Sequence, residues 1–116
     1  MNKYVTSLEL SKELYEKGIV TDSEWWWVLE SGDWVLYHKN SLIGTHNEHY
    51  PAYIAEELSE ILLRRETSIA YVDGKYEIYY ESSKGIDYDH CLYDTKLSDA
   101  LAKMILWLKK EGYLNV

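Results

Sequence analysis

The sequence predicts an α+β fold: one domain in which an antiparallel sheet of two hairpins, with room for one further strand, packs with three helices. Three observations carry this. Two pairs of β-prone runs meet at two-residue turn signals, Ser31-Gly32 and Asp73-Gly74. Three segments space their apolar residues with helical period and bring their own start or stop signals. The chain has 116 residues with no linker, no low-complexity tract and no internal repeat, and domains most often run to about 100–150 residues. The expected order is α-ββ-α-ββ-(β)-α.

The first helix follows Thr6, which opens a T-x-x-E capping box with Glu9. Leu10 and Leu14 lie four apart on one apolar stripe, and Gly18 sits where a C′ glycine belongs, with Ile19 placed to fold back on Leu14. The runs "WWWVLE" and "DWVLYH" then read as a hairpin over residues 25–38. With a two-residue loop, Leu29 faces Trp34, Trp27 faces Leu36 and Trp25 faces His38; Val28 with Val35 and Trp26 with Tyr37 fill the opposite face. A three-residue loop would change these pairs. Residues 39–51 read as irregular, with a short extended piece at Leu42-Ile43, and Pro51 is expected to open the second helix. Ile54, Leu58, Ile61 and Leu62 form that helix's stripe, and Glu60 and Arg64 are ordered for an ion pair along it.

The second hairpin has the strongest short turn signal, Asp73-Gly74, which pairs Tyr71 with Tyr76 and Ile69 with Ile78. Those residues and Tyr80 form a face for the core; Ala70, Val72, Lys75, Glu77 and Tyr79 form the outer face. "SSKGIDYDHCLYD" reads as a loop, with "HCLY" as the candidate further strand. Thr95 is expected to cap the last helix, whose face is lined by Leu97, Leu101, Met104, Ile105 and Leu108. Gly112 closes it, Tyr113 is placed to cover Leu108, and its apolarity makes it the central helix.

Composition excludes several classes of function. Twelve Lys and Arg stand against 20 Asp and Glu, a formal charge of −8. Affinity for phosphate backbones comes from Lys and Arg, so direct nucleic-acid binding is not expected, nor is an anionic membrane surface. The implied macromolecular partners are neutral or basic. The longest apolar run, Met104–Leu108, is far short of the roughly 20 residues that span a bilayer. The N-terminal stretch shows neither the apolar region nor the cleavage site of a signal peptide. The single cysteine, Cys91, excludes an internal disulfide and fits a reducing cytoplasm. Twelve Tyr, five Trp and no Phe mean that every aromatic ring carries a polar tip needing a partner. Such rings suit an interface, and they equally suit a small core with its tips turned outward.

Chemistry-bearing patterns are weak. His46 and His49 could form a metal site only if His90 and Cys91 folded against them, and the spacing matches no standard signature. Polar loop histidines facing solvent are the simpler account. Cys91 and His90 are strand neighbours and point to opposite faces, so they make no dyad; a small buried apolar role suits Cys91 better. Glu77, Glu81, Asp87 and Asp89, with Asp94, read as a solvated acidic surface or an acidic interaction patch. No glycine-rich phosphate loop or nucleophile elbow is present. No cofactor is expected and no catalytic residue is nominated.

Alternation splits the triplet "WWW": Trp25 and Trp27 share one face and Trp26 takes the other. Trp27 is the core candidate. Trp26, Val28, Val35 and Tyr37 are the candidate interaction surface, and a homodimer through this hairpin is a related expectation.

At "YVTSLELSKELYEKGI" (Tyr4–Ile19) and "LSDALAKMILWLKKEGYL" (Leu97–Leu114), with "YPAY-AEEL" (Tyr50–Leu58) between them, the chain resembles a family of short proteins encoded in phages, prophages and related mobile elements of gut and Gram-positive bacteria. The resemblance implies a bacterial cytoplasm and a role in phage–host interplay; it supplies no catalytic residues. The resulting expectation is a non-enzymatic interaction protein, in its narrower form a small acidic inhibitor of a basic host factor. The alternative is a small-molecule binding or hydrolytic domain with its pocket near the His46–Pro51 loop.

Overall fold

The computed structural model describes residues 1–19, 22–42, 47–62, 67–82 and 85–114, with residues 81, 82 and 85–90 described by backbone alone. Three helices and six strands follow in the order α1 (Leu8–Glu16), β1 (Trp25–Glu30), β2 (Asp33–His38), β3 (His49–Ala52), α2 (Ala55–Leu62), β4 (Thr67–Val72), β5 (Lys75–Ser82), β6 (Gly85–Asp94) and α3 (Leu97–Lys110). The fold is α+β and all strand pairing is antiparallel, as the sequence predicts. The strands form two sheets rather than one, β2-β1-β3 and β4-β5-β6.

Both hairpins adopt the two-residue register. Trp26 pairs with Tyr37 and Val28 with Val35; Tyr71 pairs with Tyr76 and Ile69 with Ile78. Ser31 (φ 53°) and Gly32 (φ 87°), like Asp73 (φ 51°) and Gly74 (φ 80°), lie in the left-handed region at both turn positions. That is the turn whose twist matches the flanking strands.

Several expectations are corrected. Residues 49–52 form β3, so Pro51 lies in a strand and does not open α2. The Leu29 N–H donates to the Glu48 carbonyl at 2.9 Å, which sets the alternation along β1 and β3 and leaves Trp26↔Pro51 as a non-hydrogen-bonded pair. An edge strand tolerates proline there, because no N–H is wanted. The α2 helix starts instead where Glu57 reaches back to the Ile54 N–H (3.0 Å), a capping-box bond. The same carboxylate accepts from the Ser23 hydroxyl (2.8 Å) and the Glu24 N–H (3.0 Å), joining α2 to the entry of β1. The expected loop before α3 is mostly strand β6, which breaks register between Cys91, opposite Tyr79, and Asp87, opposite Tyr80. Leu42 follows a short 3-10 turn, not an extended piece; Ile43 and Arg64 lie outside the described residues.

The C-terminal closures of α1 and α3 are as their glycines predict, and the helix N-termini are shifted. Gly18 N–H bonds Tyr15 O (3.0 Å) and Ile19 N–H bonds Leu14 O (3.2 Å), a Schellman closure. Gly112 and Tyr113 repeat it on Lys109 and Leu108. Ser7, not Thr6, caps α1, its hydroxyl accepting the Leu10 N–H at 3.3 Å. Lys96, not Thr95, is the N-cap of α3, and it makes no side-chain cap bond.

Thr6 has other work. It is fully buried. Its N–H donates to Tyr53 O (2.8 Å), its hydroxyl accepts the Tyr53 N–H (3.1 Å) and shares a hydrogen with the Ser11 hydroxyl (2.6 Å), and its carbonyl accepts from the Trp27 indole (3.0 Å). One residue on, the Ser7 N–H donates to the Asp99 carboxylate at 2.8 Å.

The main core joins Leu14, Tyr53, Leu58, Ile78, Leu101, Met104, Ile105 and Leu108, so α3 is central as expected. No residue of β1 or β2 enters it. The radius of gyration, 14.9 Å, exceeds the about 13 Å expected of a sphere-like domain of this length. Part of the second hairpin stands clear of the helices: Ile69 and Tyr71, expected on the core face, are 53% and 65% exposed.

Two outcomes test this description. Thr6→Val keeps the shape of the side chain and strands the Tyr53 N–H, while the Ser11 hydroxyl keeps the carbonyl of residue 6 at 3.3 Å, and urea denaturation should show a loss of about 1–3 kcal/mol; Thr6→Ser should cost far less. Burial holds the Asp99 carboxyl above its ordinary value despite the Ser7 N–H and Lys96. A raised folded value means that the stabilising contribution is complete below the unfolded value of about 3.9 and is lost as pH rises through the folded one. Denaturation at a series of pH values should therefore show the stability of wild type relative to Asp99→Asn falling as pH rises across that window.

Candidate functional site

The tryptophan hairpin presents two unlike faces. On one, α1 lies across the sheet: Tyr15 meets Tyr50 edge-on at 5.7 Å, and the Lys12 ammonium sits 5.0 Å from the Trp34 ring and 5.3 Å from Tyr50. Trp27 belongs here, its indole N–H anchored to Thr6. The opposite face carries the candidate interaction residues. Val28 is only 2% exposed and Val35 is 40% exposed, with Trp26 and Tyr37 half-buried. The polar tips of both rings have partners within the chain. Trp26 donates to Ser23 O (3.0 Å) and stands edge-on to His49 at 5.4 Å, and the Tyr37 hydroxyl donates to Glu30. That bond holds the Tyr37 phenol above its ordinary value.

The other nominated residues fall on the second sheet or outside the described set. Glu77 shares the outer face of β5 with Tyr79, whose hydroxyl donates to it at 2.9 Å, and with Cys91, whose sulfur lies 3.7 Å away. The side chains of Glu81, Asp87, Asp89 and His90 lie outside the described residues, as does His46. His49 is on β3 of the first sheet and Cys91 on β6 of the second. Among the described residues no group of three His, Cys, Asp or Glu side chains could hold a metal ion.

Two features escaped the sequence reading. The first is the open edge of β4, "TSIAYV", a six-residue strand with no charged residue and no proline. In a two-residue hairpin the flanking pair, Val72 and Lys75, exchanges both ladder bonds. Ala70 and Ser68 then also bond β5, and Thr67, Ile69 and Tyr71 direct their N–H and C=O groups to the open edge. No described strand pairs there. Ile69 and Tyr71 flank those groups in solvent, and Val72 is 47% exposed. Natural edges are usually blunted by lysine, proline or a bulge; this one is not.

The second is a groove of about 590 Å³ between α1 and α3, lined by Leu10, Glu13 and Lys17 on one side and by Lys103, Leu106, Trp107, Lys109 and Lys110 on the other, with Leu92 of β6. Trp107 continues into a ring cluster, 5.6 Å from Tyr80 and 5.9 Å from Tyr113, which themselves stack at 5.2 Å. A smaller cleft of about 410 Å³ at the start of α3 includes Ser98 and Lys96. Asp94 and Asp99 already occupy that helix end through the Lys96 N–H and the Lys96 ammonium.

The cysteine offers a direct chemical check. Burial, with Glu77 beside it, pushes the Cys91 thiol up from its ordinary value, so little thiolate is present near neutrality. Alkylation by iodoacetamide at pH 7 should run slower than for a free thiol, with a half-maximal rate above pH of about 8.5; a faster rate would restore Cys91 as a nucleophile. Comparison of this chain with protein-family models, with curated proteins and with solved structures finds no match in any of the three.

Proposed function

We propose that this chain is a non-enzymatic protein-interaction domain that docks an extended segment of a partner protein along the free edge of β4. The observation that carries the reading is the pairing of open backbone groups with solvent-exposed Ile69 and Tyr71 on one uncharged strand. Strand addition draws affinity from main-chain hydrogen bonds and specificity from alternate side chains. The formal charge of −8 favours a basic or neutral partner over a second copy of an equally acidic chain. The Trp26 face contributes less in this reading, since its two polar ring tips are already bonded internally. The narrower version, an acidic phage-type inhibitor of a basic host factor, rests on the charge, the small size and the resemblance.

Ile69→Lys supplies the test, because a lysine there blunts the edge and leaves the ladder to β5 intact. Pulldowns from a bacterial lysate with wild type and variant, at low and high salt, should show a basic protein held by wild type, lost by the variant and weakened by salt. An unchanged set of bound proteins in the variant would overturn the edge as the docking site. Sedimentation showing a wild-type dimer that Ile69→Lys abolishes would replace the basic partner with a second copy of the chain.

A further inference from the structure

The groove between α1 and α3 combines features that composition hides. Its floor is apolar: Leu10, Leu92, Leu106 and Trp107 are partly buried and packed on the core without closing it. Among the described residues four lysines line it against one acid, Glu13, in a chain whose formal charge is −8. The volume falls within the roughly 300–1,000 Å³ of small-molecule pockets.

The lysines are not equivalent. Lys103 is held by Asp94 at 2.9 Å and by Tyr93 O at 3.2 Å. Lys17 and Lys110 are exposed, and neither has an ion-pair partner among the described residues. Both stand at the C-terminal ends of their helices. The two helices run side by side in the same direction, since the Ser7–Asp99 bond ties their N-terminal ends and both C-terminal ends line one groove. From Leu10 to Lys17 the groove wall runs about 10 Å at 1.5 Å per residue. An apolar trough therefore leads to a cationic end.

We propose that this groove binds a single-chain amphiphilic carboxylate of the fatty-acid class, with the chain along Leu10, Leu92, Leu106 and Trp107 and the head between Lys17 and Lys110. A cationic head would meet like charge at that end, and a strongly hydroxylated ligand would find no hydroxyl or amide side chain among the described residues of the wall to satisfy it. Each lysine also complements its own helix end, Lys17 from the C-cap of α1 and Lys110 from the last turn of α3, which accounts for their positions but not for an open apolar floor beside them. The groove and the β4 edge rest on separate observations, so either assignment stands or falls without the other.

The test uses the full chain with decanoate, decanol and decylammonium, which share a tail and differ in head charge. Calorimetry should show saturable binding of decanoate below its micelle-forming concentration, at least about tenfold tighter than decylammonium, with decanol between them. The double variant Lys17→Gln/Lys110→Gln, at two exposed positions, should lose about tenfold in decanoate affinity with its thermal midpoint lowered by only a few degrees. Amide shifts on titration should centre on Leu10, Leu92, Leu106 and Trp107. Equal affinity for both head charges, undiminished binding by the double variant, shifts centred elsewhere or no saturable decanoate binding would each overturn the assignment.

Discussion

The structure turns on two consecutive residues, Thr6 and Ser7. Each sheet has three strands among the described residues, and the first contributes nothing from β1 or β2 to the main core. Something other than the main core must attach those two strands. Thr6 does so with polar atoms alone: the backbone and hydroxyl groups engage Tyr53 after β3, Ser11 in α1 and Trp27 in β1. The preceding Val5 adds an antiparallel bridge to Ile54 at the start of α2. Buried polar groups cost dearly when unpaired and stabilise a unique arrangement when all are paired. Because every partner of Thr6 belongs to a different segment, the arrangement forms only when those segments are placed together. Ser7 then extends the tie to α3 through Asp99.

This explains which parts of the fold the sequence displays. Hairpin registers were readable because a two-residue turn fixes every later pair, and Gly32 and Gly74 supply the left-handed conformation that turn needs. The glycine closures of α1 and α3 were readable for a similar local reason. The N-terminal cap of α1 was misplaced by one residue because a tertiary bond competes for the hydroxyl of Thr6. Read locally, T-x-x-E is a capping box; in the fold, Tyr53 takes that oxygen and Ser7 takes over as cap. Pro51 misled in the same way. Its suitability for a helix start is local, whereas its place opposite Trp26 depends on a pairing across more than twenty residues.

The candidate sites were less legible than the fold. Alternation along β1 correctly divided the three tryptophans between two faces, yet it could not show that Trp26 and Tyr37 would spend their polar tips on Ser23 and Glu30. Nor could the pairing Tyr71↔Tyr76, read correctly, show that Ile69 and Tyr71 lie beyond the cover of the helices. Exposure depends on how far α3 extends over the second sheet, and that is a property of packing. The lysine-lined groove was out of reach altogether, since Lys17 and Lys110 stand 93 positions apart in the chain.

Net charge is therefore a poor guide to what this molecule can bind locally. The Ser7–Asp99 bond sets α1 and α3 parallel, and a lysine stands at the C-terminal end of each, at the C-cap of α1 and in the last turn of α3, as the macrodipole favours. Parallel neighbours bring those ends together, so cations that each serve one helix converge on a shared groove. An antiparallel pair would have separated them by a helix length and set each beside the other's N-terminus. The bond that organises the fold thus also concentrates positive charge beside Leu10, Leu106 and Trp107, and an acidic chain acquires one place where an anion with an apolar tail is complementary on both counts.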